Sequence, residues 1–450
     1  MEEGLSSLMG YIRGEGRNQG TLFPVVLDDL VPADHVCRVI DAFVDGLPIS
    51  RLGFERAEAA ETGRPGYDPR DLLKLYLYGY LHTIRSSRRL EAECRRNVEL
   101  MWLLGRLYPD HKSIAEFRRI HREAVTATGA QLVRFAQVCG LIGGEWIAID
   151  GTKFRAVASA ESVGERQALE RYLDSMERAD EEQEASIDPA AVQAALEKLK
   201  QHPEPEAGFM PVARTKAPAY NVQTAVDAEH ALIVAHAVTL DAGDNRQLEP
   251  MARAAKAALE SDGFHVVADA GYSNGEQAAR CEAAGLLPHV PMTRAVNNQG
   301  DGAFFGREQF CYQQNSDTYL CPNGKTLRRR QARRNDRLVI YTADPADCGA
   351  CAKKPHCTEA RRRTVSRLLD EAALVRMHQR ATADAMKLRR ATVEHPFATL
   401  KYRIFGHPRL LLRGTGGAQT EISLAAMAYN IIRMVNILGA LKLVRQLRPA

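Results

Sequence analysis

The chain contains 450 residues, of which 45% are hydrophobic and 26% are charged, with 33 Gly and 20 Pro. This composition is typical of a folded globular protein and excludes a disordered or collagen-like chain. The length excludes a single small module and suits two or three domains, each with its own core. The formal net charge of +4 is small, so the distribution of charge along the chain is more informative than its sum.

The charges are segregated along the chain. Residues 321–413 contain 22 Lys and Arg against 8 Asp and Glu, whereas residues 161–210 contain 5 against 13. A basic block favours a polyanionic partner, because each Lys or Arg that neutralises a phosphate releases counterions. Basic surfaces also serve solubility, and the charge pattern alone does not choose between these two interpretations.

The N-terminus has neither the basic start nor the apolar stretch of a secretory signal, and no uncharged apolar run reaches about 18 residues. We therefore expect a cytoplasmic protein with no membrane partner. Residues 422–444 are strongly apolar but carry Arg433 at their middle, which favours a buried helix. The odd number of cysteines, 9 in all, favours reduced thiols or a metal site over a disulfide framework.

The first predicted region, residues 22–140, is helical, with helical apolar spacing over residues 71–81. After a break at residues 108–110, Ser113 and Glu116 have the spacing of a capping box, which predicts a helix start. Arginines then give these short helices basic faces, at Arg85, Arg88, Arg89, Arg95 and Arg96. Such a region suits DNA binding, with basic turns on phosphates, but an ordinary solvated face of a helical bundle gives the same pattern.

From Trp146 the pattern becomes that of a mixed α/β core. Residues 145–150 predict a short buried strand that ends in Asp150 and is stopped by Gly151. The pattern that follows predicts a hairpin at 221–227 and 232–238 and a helix at 247–259. It then predicts a strand at 265–269 that ends in Asp269, a second helix at 274–284 and a final strand at 287–291. Two carboxylates thus stand at the carboxyl ends of predicted strands, the usual location of chemistry in such sheets.

Two insertions interrupt this predicted core: an acidic helical one at about residues 160–215 and a basic one, with cysteines, at about 292–370. The predicted organisation is a helical domain over residues 1–140, followed by an α/β domain over 141–445 that returns to helix near Glu371. Asp241 and Asp244 are further acids near the core. Because they follow a strand and precede a helix, turn and N-cap roles are favoured for them.

The basic insertion contains a C-x26-C-x2-C-x5-C array, formed by Cys321, Cys348, Cys351 and Cys357. Four thiolates can hold a tetrahedral zinc ion, which would be structural because such a site has no open position. A single close C-x2-C pair is a weak signal, and a buried thiol needs no metal. Cys311 and His356 are alternative ligands, so the sequence leaves the zinc site open.

In the C-terminal helical region, Arg390, Glu394 and Lys401 fall within about 40° of one another on a helical wheel. All three can therefore share one helix face. Pro396 lies between them and is expected to kink or break a helix there. If a helix instead begins at Pro396, Arg390 does not share the face of the other two.

Six motifs occur in order along nearly the whole chain, at residues 63–69 (GRPGYDP), 110–118 (DHKSIAEFR), 220–227 (YNVQTAVD), 268–272 (ADAGY), 394–401 (EHPFATLK) and 428–430 (AYN). In this order they resemble the DDE transposases of bacterial insertion sequences, specifically the group with an N-terminal InsH-type helical domain. The signature Tyr-x2-Arg-x3-Glu-x6-Lys of that family is met by Arg390, Glu394 and Lys401. The chain departs from the signature at its tyrosine position, where it has Lys387.

The resemblance implies a ribonuclease-H-like fold in which the first strand carries Asp150, the fourth carries Asp269, and a helix after an insertion carries Glu394. It also implies that the proline after Glu394 is tolerated. These three acids would be catalytic and would hold two Mg²⁺ ions, for which Mn²⁺ can substitute, since hard cations take oxygen ligands. Arg390 and Lys401 would contact DNA phosphates beside the metals.

The activity that the resemblance implies is transposition. The N-terminal helices, including Arg88 and Arg89, would bind the terminal inverted repeats, and the basic insertion around Arg328 to Arg334 would contact the DNA backbone. One strand would be hydrolysed at each end and the freed 3′-hydroxyl joined to target DNA, by at least a dimer of the protein. Two alternatives stay open: a catalytically inactive, transposase-derived DNA-binding protein, and a related nuclease that cuts without joining.

Overall fold

The computed structural model of the protein describes residues 26–56, 66–182, 189–204, 206–292, 304–333 and 337–448. Residues 63–65 of the first motif and Arg334 lie outside the described residues, as do the side chains of residues 177–182 and 331–333.

The N-terminal part is helical, as the sequence predicts. Its α-helices are α1 (Val36–Asp45), α2 (Pro69–Leu81), α3 (Ser87–Cys94), α4 (Val98–Leu103), α5 (His111–Ile120) and α6 (Arg122–Val138). The predicted capping box is wrong, because α5 begins before Ser113. The Asp110 carboxylate accepts the backbone N–H groups of Lys112 and Ser113 at 2.9 and 3.1 Å and caps the helix, a role for which Asp is as suitable as Ser.

The core is one mixed sheet of six strands. They are β1 (Trp146–Arg155), β2 (Gly208–Val212), β3 (Thr215–Asp227), β4 (Ile233–Thr239), β5 (His265–Val267) and β6 (Leu287–His289). The order is β2-β3-β1-β5-β6, and β4 also pairs with β3. β3 is antiparallel to β1 and β4, whereas β5 is parallel to β1 and β6. The ribonuclease-H-like fold is confirmed.

The predicted hairpin is confirmed as β3 and β4, but the first strand is longer than predicted. β1 continues through Gly151 to Arg155 because β3 pairs with it from Ile147 to Arg155. Gly151 does not stop the strand. A Cβ at this position would collide with the Gln223 amide and lie 2.8 Å from the Asp244 carboxylate, so the close approach of these side chains explains the glycine.

Helices α7 (Ala160–Glu182) and α8 (Pro189–Lys200) form the acidic segment between β1 and β2, and α9 (Leu248–Leu259) and α10 (Gly275–Ala283) follow within the core. The basic segment forms a second, antiparallel sheet in the order β11-β10-β9-β8-β7. Its elements are β7 (Cys311–Gln313), β8 (Thr318–Leu320), β9 (Thr326–Arg333), β10 (Leu338–Thr342), the short helix α11 (Pro345–Gly349) and β11 (Thr364–Leu368).

The C-terminal part is helical and comprises α12 (Glu371–Arg380), α13 (Ala383–Ala398), a π-helical segment (Thr399–Ile404), α14 (Gly414–Leu438) and α15 (Ala440–Leu447). Pro396 lies inside α13, so the helix neither starts nor ends at the proline. Arg390 and Glu394 therefore share one continuous helix, while Lys401 lies in the π-helical segment.

Helix α14 is the centre of the largest hydrophobic core. Buried residues of α1, α2, α4, α5 and α6 form one cluster with α14 and with side chains of β1 and β3. Within the described ranges, α14 is the one helix long and apolar enough to cross a membrane by length and composition, and 72% of its apolar window is buried inside the protein. This burial supports the interpretation of the stretch as a core helix.

Candidate functional site

Asp150 and Asp269 lie side by side because of the register between two parallel strands. Ala148 of β1 pairs with Val267 of β5, and each aspartate comes two residues after its member of this pair. Asp269 follows the end of β5, whereas Asp150 is in the middle of β1, not at its end as predicted. Both carboxylates accept a backbone N–H, Asp150 from Gly151 at 2.9 Å and Asp269 from Gly271 at 2.8 Å.

A guanidinium group joins the two aspartates. Arg389 of α13 places Nη2 2.7 Å from Oδ1 of Asp150 and 3.3 Å from Oδ2 of Asp269. The Arg389 and Asp150 side chains are 16% and 20% exposed, while that of Asp269 is 48% exposed. Arg389 is not among the residues predicted from the sequence, where its one signal is its position next to Arg390 of the signature.

Burial sets the electrostatics of this pair. It raises the pKa of Asp150 to about 6, although the Arg389 charge acts in the opposite direction, because burial disfavours a charged carboxylate. Burial lowers the pKa of Lys401, and the negative charge of Asp150 opposes this shift. Lys401 therefore lies close enough to Asp150 for the two charges to interact.

Asp244 belongs to a polar network on the neighbouring strands rather than to a helix cap. Its Oδ1 accepts from Asn221 at 2.7 Å, from Gln223 at 2.8 Å and from Lys153 at 3.3 Å. The predicted N-cap role is wrong for its carboxylate, since α9 has Gln247 at its N-cap without a side-chain hydrogen bond. Asp241 does have a turn role, because its Oδ2 accepts from the Gln247 amide at 2.7 Å.

Glu394 lies on the helix that covers the aspartates, but it points to solvent. Val393 packs with Ala148 and Val267 in a small apolar cluster, while Glu394 and Arg390 are exposed. The carboxylates of Asp150, Asp269 and Glu394 are not all within 4.8 Å of one another. Among the described residues, the one group of three metal-ligand side chains that meets this distance is His35, Cys37 and Glu99.

The group of His35, Cys37 and Glu99 is held by hydrogen bonds within the protein. His35 Nδ1 accepts the backbone N–H of Cys37 at 3.3 Å, and its Nε2 lies 3.5 Å from Glu99 Oε1. The other Glu99 oxygen accepts the Tyr78 hydroxyl at 2.7 Å. Since both His35 nitrogens have partners, this cluster serves to cap α1 and join it to α4.

The arginines of the N-terminal helices differ in their accessibility. Arg88 and Arg89 on α3 are exposed, and so are Arg95 and Arg96. Arg85 is instead engaged inside the protein, where it lies 3.1 Å from the buried Glu421 carboxylate and over the Phe405 ring at 4.4 Å. Arg85 is therefore engaged by partners within the protein, unlike the four exposed arginines that follow it.

The four cysteines of the array line one cavity of about 30 Å³ in the basic segment. Backbone N–H groups of Asn323 and Lys325 point at Cys321 Sγ, at 3.4 and 3.3 Å. Burial raises the pKa of the Cys357 thiol, and the other three sulfurs act in the same direction. Neither Cys311 nor His356 lines this cavity, and no three of the sulfurs lie within 4.8 Å of one another.

The basic segment presents arginines on strand β9. Arg328, Arg329 and Arg330 are exposed, whereas Leu327 of the same strand is buried in the small core of the second sheet. Arg329 also lies 3.0 Å from Asp317. The segment therefore combines a cysteine-lined cavity with an exposed basic strand.

Comparison with known proteins gives two matching family models. Residues 25–119 match a transposase domain (DUF772), and residues 147–431 match a transposase DDE domain. No curated protein matches the sequence significantly. A solved piggyBac transposase synaptic complex with hairpin DNA is similar at 8% identity and a TM-score of 0.33, over 92% of this chain and 78% of that one, a likeness too low to carry an argument.

The DDE model covers more than half of the chain, including both aspartates and α13. The transposase domain (DUF772) matched at residues 25–119 covers the helices α1 to α4 and most of α5. The chain therefore belongs to the DDE transposases, with an N-terminal helical transposase domain.

Proposed function

We propose that this transposase binds the terminal inverted repeats of its own insertion sequence, hydrolyses one strand at each end and joins the freed 3′-hydroxyl to target DNA. The observation that carries the proposal is the adjacency of Asp150 and Asp269, with α13 packed over them through Val393. Two carboxylates side by side on neighbouring strands can hold the divalent metal ions that phosphoryl transfer requires.

We infer that Asp150, Asp269 and Glu394 hold two Mg²⁺ ions, for which Mn²⁺ can substitute. The two aspartates suit a cation, because their oxygens together hold the Arg389 guanidinium. When bound, the metal ions would supply activation of the attacking oxygen and stabilisation of the leaving oxygen. Carboxylates are the ligands that these hard ions prefer.

The basic side chains around the site have a separate role. Lys401, within reach of Asp150, would hold the reacting phosphate, and the exposed Arg390 would contact a neighbouring one. Exposed Arg88 and Arg89 on α3 would bind the DNA ends, and Arg328 to Arg330 on β9 would add backbone contacts. Such contacts orient the DNA without reading its sequence.

Transposition needs two DNA ends held together, which supports an assembly of at least two copies of the chain. The buried position of α14 supports its assignment as a core helix, and the absence of a membrane partner stays a prediction. The cytoplasmic location expected from the N-terminal sequence stays a prediction.

We also infer a structural zinc ion on Cys321, Cys348, Cys351 and Cys357. Backbone N–H groups of Asn323 and Lys325 point at the Cys321 sulfur, and cysteine sulfur is the ligand that zinc takes in structural sites. The four thiols that line this cavity are the donor type of a structural zinc. Because no three of the sulfurs lie within 4.8 Å of one another, zinc binding would draw them together. The ion would hold the turn at Cys321 against α11, which keeps the second sheet and its basic strand in place.

The test is Mg²⁺-dependent cleavage and joining of labelled DNA that carries the ends flanking the gene. D150A, D269A and E394A should each lose at least about a hundredfold in rate while they still bind DNA. The matched control is D384A, which removes an exposed acid from the first turn of the same helix and should retain activity.

Three results would change the conclusion. An intact protein that binds the ends but never cuts with Mg²⁺ or Mn²⁺ is an inactive transposase-derived DNA-binding protein. Cutting without joining identifies a nuclease. Activity in one of the three alanine variants shows that the corresponding acid is not catalytic.

A further inference from the structure

We propose that Arg389 is an internal cation that competes with divalent metal ions for Asp150 and Asp269. A rotation of α13 about its own axis would move Arg389 away from the aspartates and bring Glu394 to them. The inference rests on the proposed function, because it takes the two aspartates as metal ligands. Arg389 thereby joins the proposed site as a positioning residue, although it is not part of the signature formed by Arg390, Glu394 and Lys401.

One nitrogen of Arg389 contacts both carboxylates, at 2.7 Å for Asp150 and 3.3 Å for Asp269. The side chain is 16% exposed, so solvent screens these contacts less than those of a surface pair. A metal ion that takes the same oxygens brings a second positive charge to the same place. Metal and guanidinium therefore cannot both bind this pair of oxygens.

The Arg389 guanidinium lacks a full set of hydrogen-bond acceptors. Nε of Arg389 is buried and has no hydrogen-bond partner among the described residues, although a guanidinium offers five donors in a fixed geometry. A buried donor without an acceptor carries a free-energy cost. Arg389 is therefore held by the two carboxylates rather than by a complete set of acceptors, and solvent or a DNA phosphate would satisfy it better.

The geometry of α13 opposes simultaneous access by Arg389 and Glu394. They are five residues apart, which is about 140° around an α-helix. Arg389 points at the aspartates, Val393 one turn later packs on Ala148 and Val267, and Glu394 is exposed. A rotation of the helix that brings Glu394 toward the aspartates carries Arg389 away from them.

The segment after Glu394 is suited to such a rotation. Pro396 lies two residues beyond it within α13, and the π-helical turn Thr399–Ile404 follows. Proline removes a backbone donor from the helical hydrogen-bond ladder, and π-helical turns are rare and often occur at functional sites. The helix can therefore turn locally while Lys401 stays near Asp150.

The test measures Mn²⁺ binding to the full-length protein without DNA, by electron paramagnetic resonance of free Mn²⁺. R389Q should bind Mn²⁺ about tenfold more tightly than the intact protein, the equivalent of one lost charge-assisted contact. R389K keeps a cation and should stay within about threefold of the intact protein. K387Q, which removes an exposed positive charge from the same helix, is the matched control and should leave the affinity unchanged.

Two further variants assign the effect to this site. Adding D269N to R389Q should abolish the gain in affinity, and adding E394Q should weaken it, since Glu394 replaces Arg389. Circular dichroism shows whether each variant is folded before its affinity is compared. Equal Mn²⁺ affinity of R389Q and the intact protein overturns the proposal, as does an equal gain in R389Q and K387Q.

The Mn²⁺ comparison does not depend on DNA cleavage, so the two proposals can fail separately. An intact protein that never cuts DNA while R389Q gains Mn²⁺ affinity counts against the proposed function alone. Cleavage by the intact protein without any gain in R389Q counts against the competition alone.

Discussion

Arg85 Nη1 lies 3.1 Å from Oε2 of Glu421, a residue 336 positions further along the chain. The other Glu421 oxygen accepts the backbone N–H groups of Leu411 and Leu412 at 2.6 and 2.7 Å. Arg85 also donates to the carbonyl oxygens of Phe405 and Arg409. This ion pair therefore connects the arginine-rich N-terminal helices to the loop after Lys401, and so joins the proposed DNA-binding surface to the candidate active site.

Replacing Arg85 should destabilise the protein. R85A leaves the fully buried Glu421 carboxylate without its cation, and loss of one partner of a buried ion pair costs about 3 kcal/mol. The free energy of unfolding in urea measures the effect. R88A, an exposed arginine three residues away, should unfold like the intact protein, and equal stability of the two variants would contradict a structural role for Arg85.

Replacing Gly79 with alanine should destabilise the protein, although Gly79 lies inside the helix α2. A Cβ there would be 2.5 Å from the Ile84 carbonyl oxygen and 2.8 Å from a Leu90 methyl group. We expect G79A to lower the unfolding free energy by about 1–3 kcal/mol, as overpacking does. G129A in α6 is the control, since its nearest neighbour would be Met427 Cγ at 3.9 Å. There the usual helix preference for Ala applies, and G129A should stabilise by up to about 1 kcal/mol.

Stability should fall in mild acid because of His236. Burial lowers the pKa of this imidazole to about 4, and its Nδ1 accepts from the Gln419 amide at 2.9 Å. The unfolded chain, with a histidine pKa near the usual ~6.5, binds the proton more readily. The contribution of neutral His236 to the free energy of unfolding is therefore fully present above about pH 6.5 and is lost as the pH falls toward 4. The slope from this residue is at most about 1.4 kcal/mol per pH unit.

The variant H236Q should show a smaller decline in melting temperature between pH 6.5 and 4 than the intact protein. H407Q changes an exposed histidine and should keep the slope of the intact protein. An unchanged slope in H236Q would show that other groups cause the acid sensitivity.

The cysteine array should copurify with zinc. We expect about one zinc per chain by atomic emission, and a lower melting temperature after treatment with a chelator. C351S should lose the metal, whereas C311S, outside the cavity, should retain it. A metal-free intact protein, or equal zinc in both variants, would show that the four thiols are ordinary reduced cysteines.

Local patterns predicted much of the core. The helix α9, the strand β5 and the helix α10 agree with the predictions within a few residues, and the hairpin of β3 and β4 is present although β3 begins six residues earlier than predicted. Each depends on apolar spacing and turn residues that are close together in the chain. The wrong predictions depend on competing neighbours instead: Asp110 displaced Ser113 as the cap of α5, and pairing with β3 carried β1 past Gly151.

The sequence by itself determined the order of the predicted core elements, the family motifs and the identity of the candidate acids, but not the strands β2 and β7 to β11 within the two insertions. Only the tertiary structure decided that Arg389 rather than Glu394 contacts Asp150 and Asp269, that Asp244 binds Asn221 and Gln223, and that Arg85 is tied to Glu421. These side chains lie on elements separated by tens to hundreds of residues. Their contacts follow from strand register and helix rotation, which periodicity along the chain does not encode.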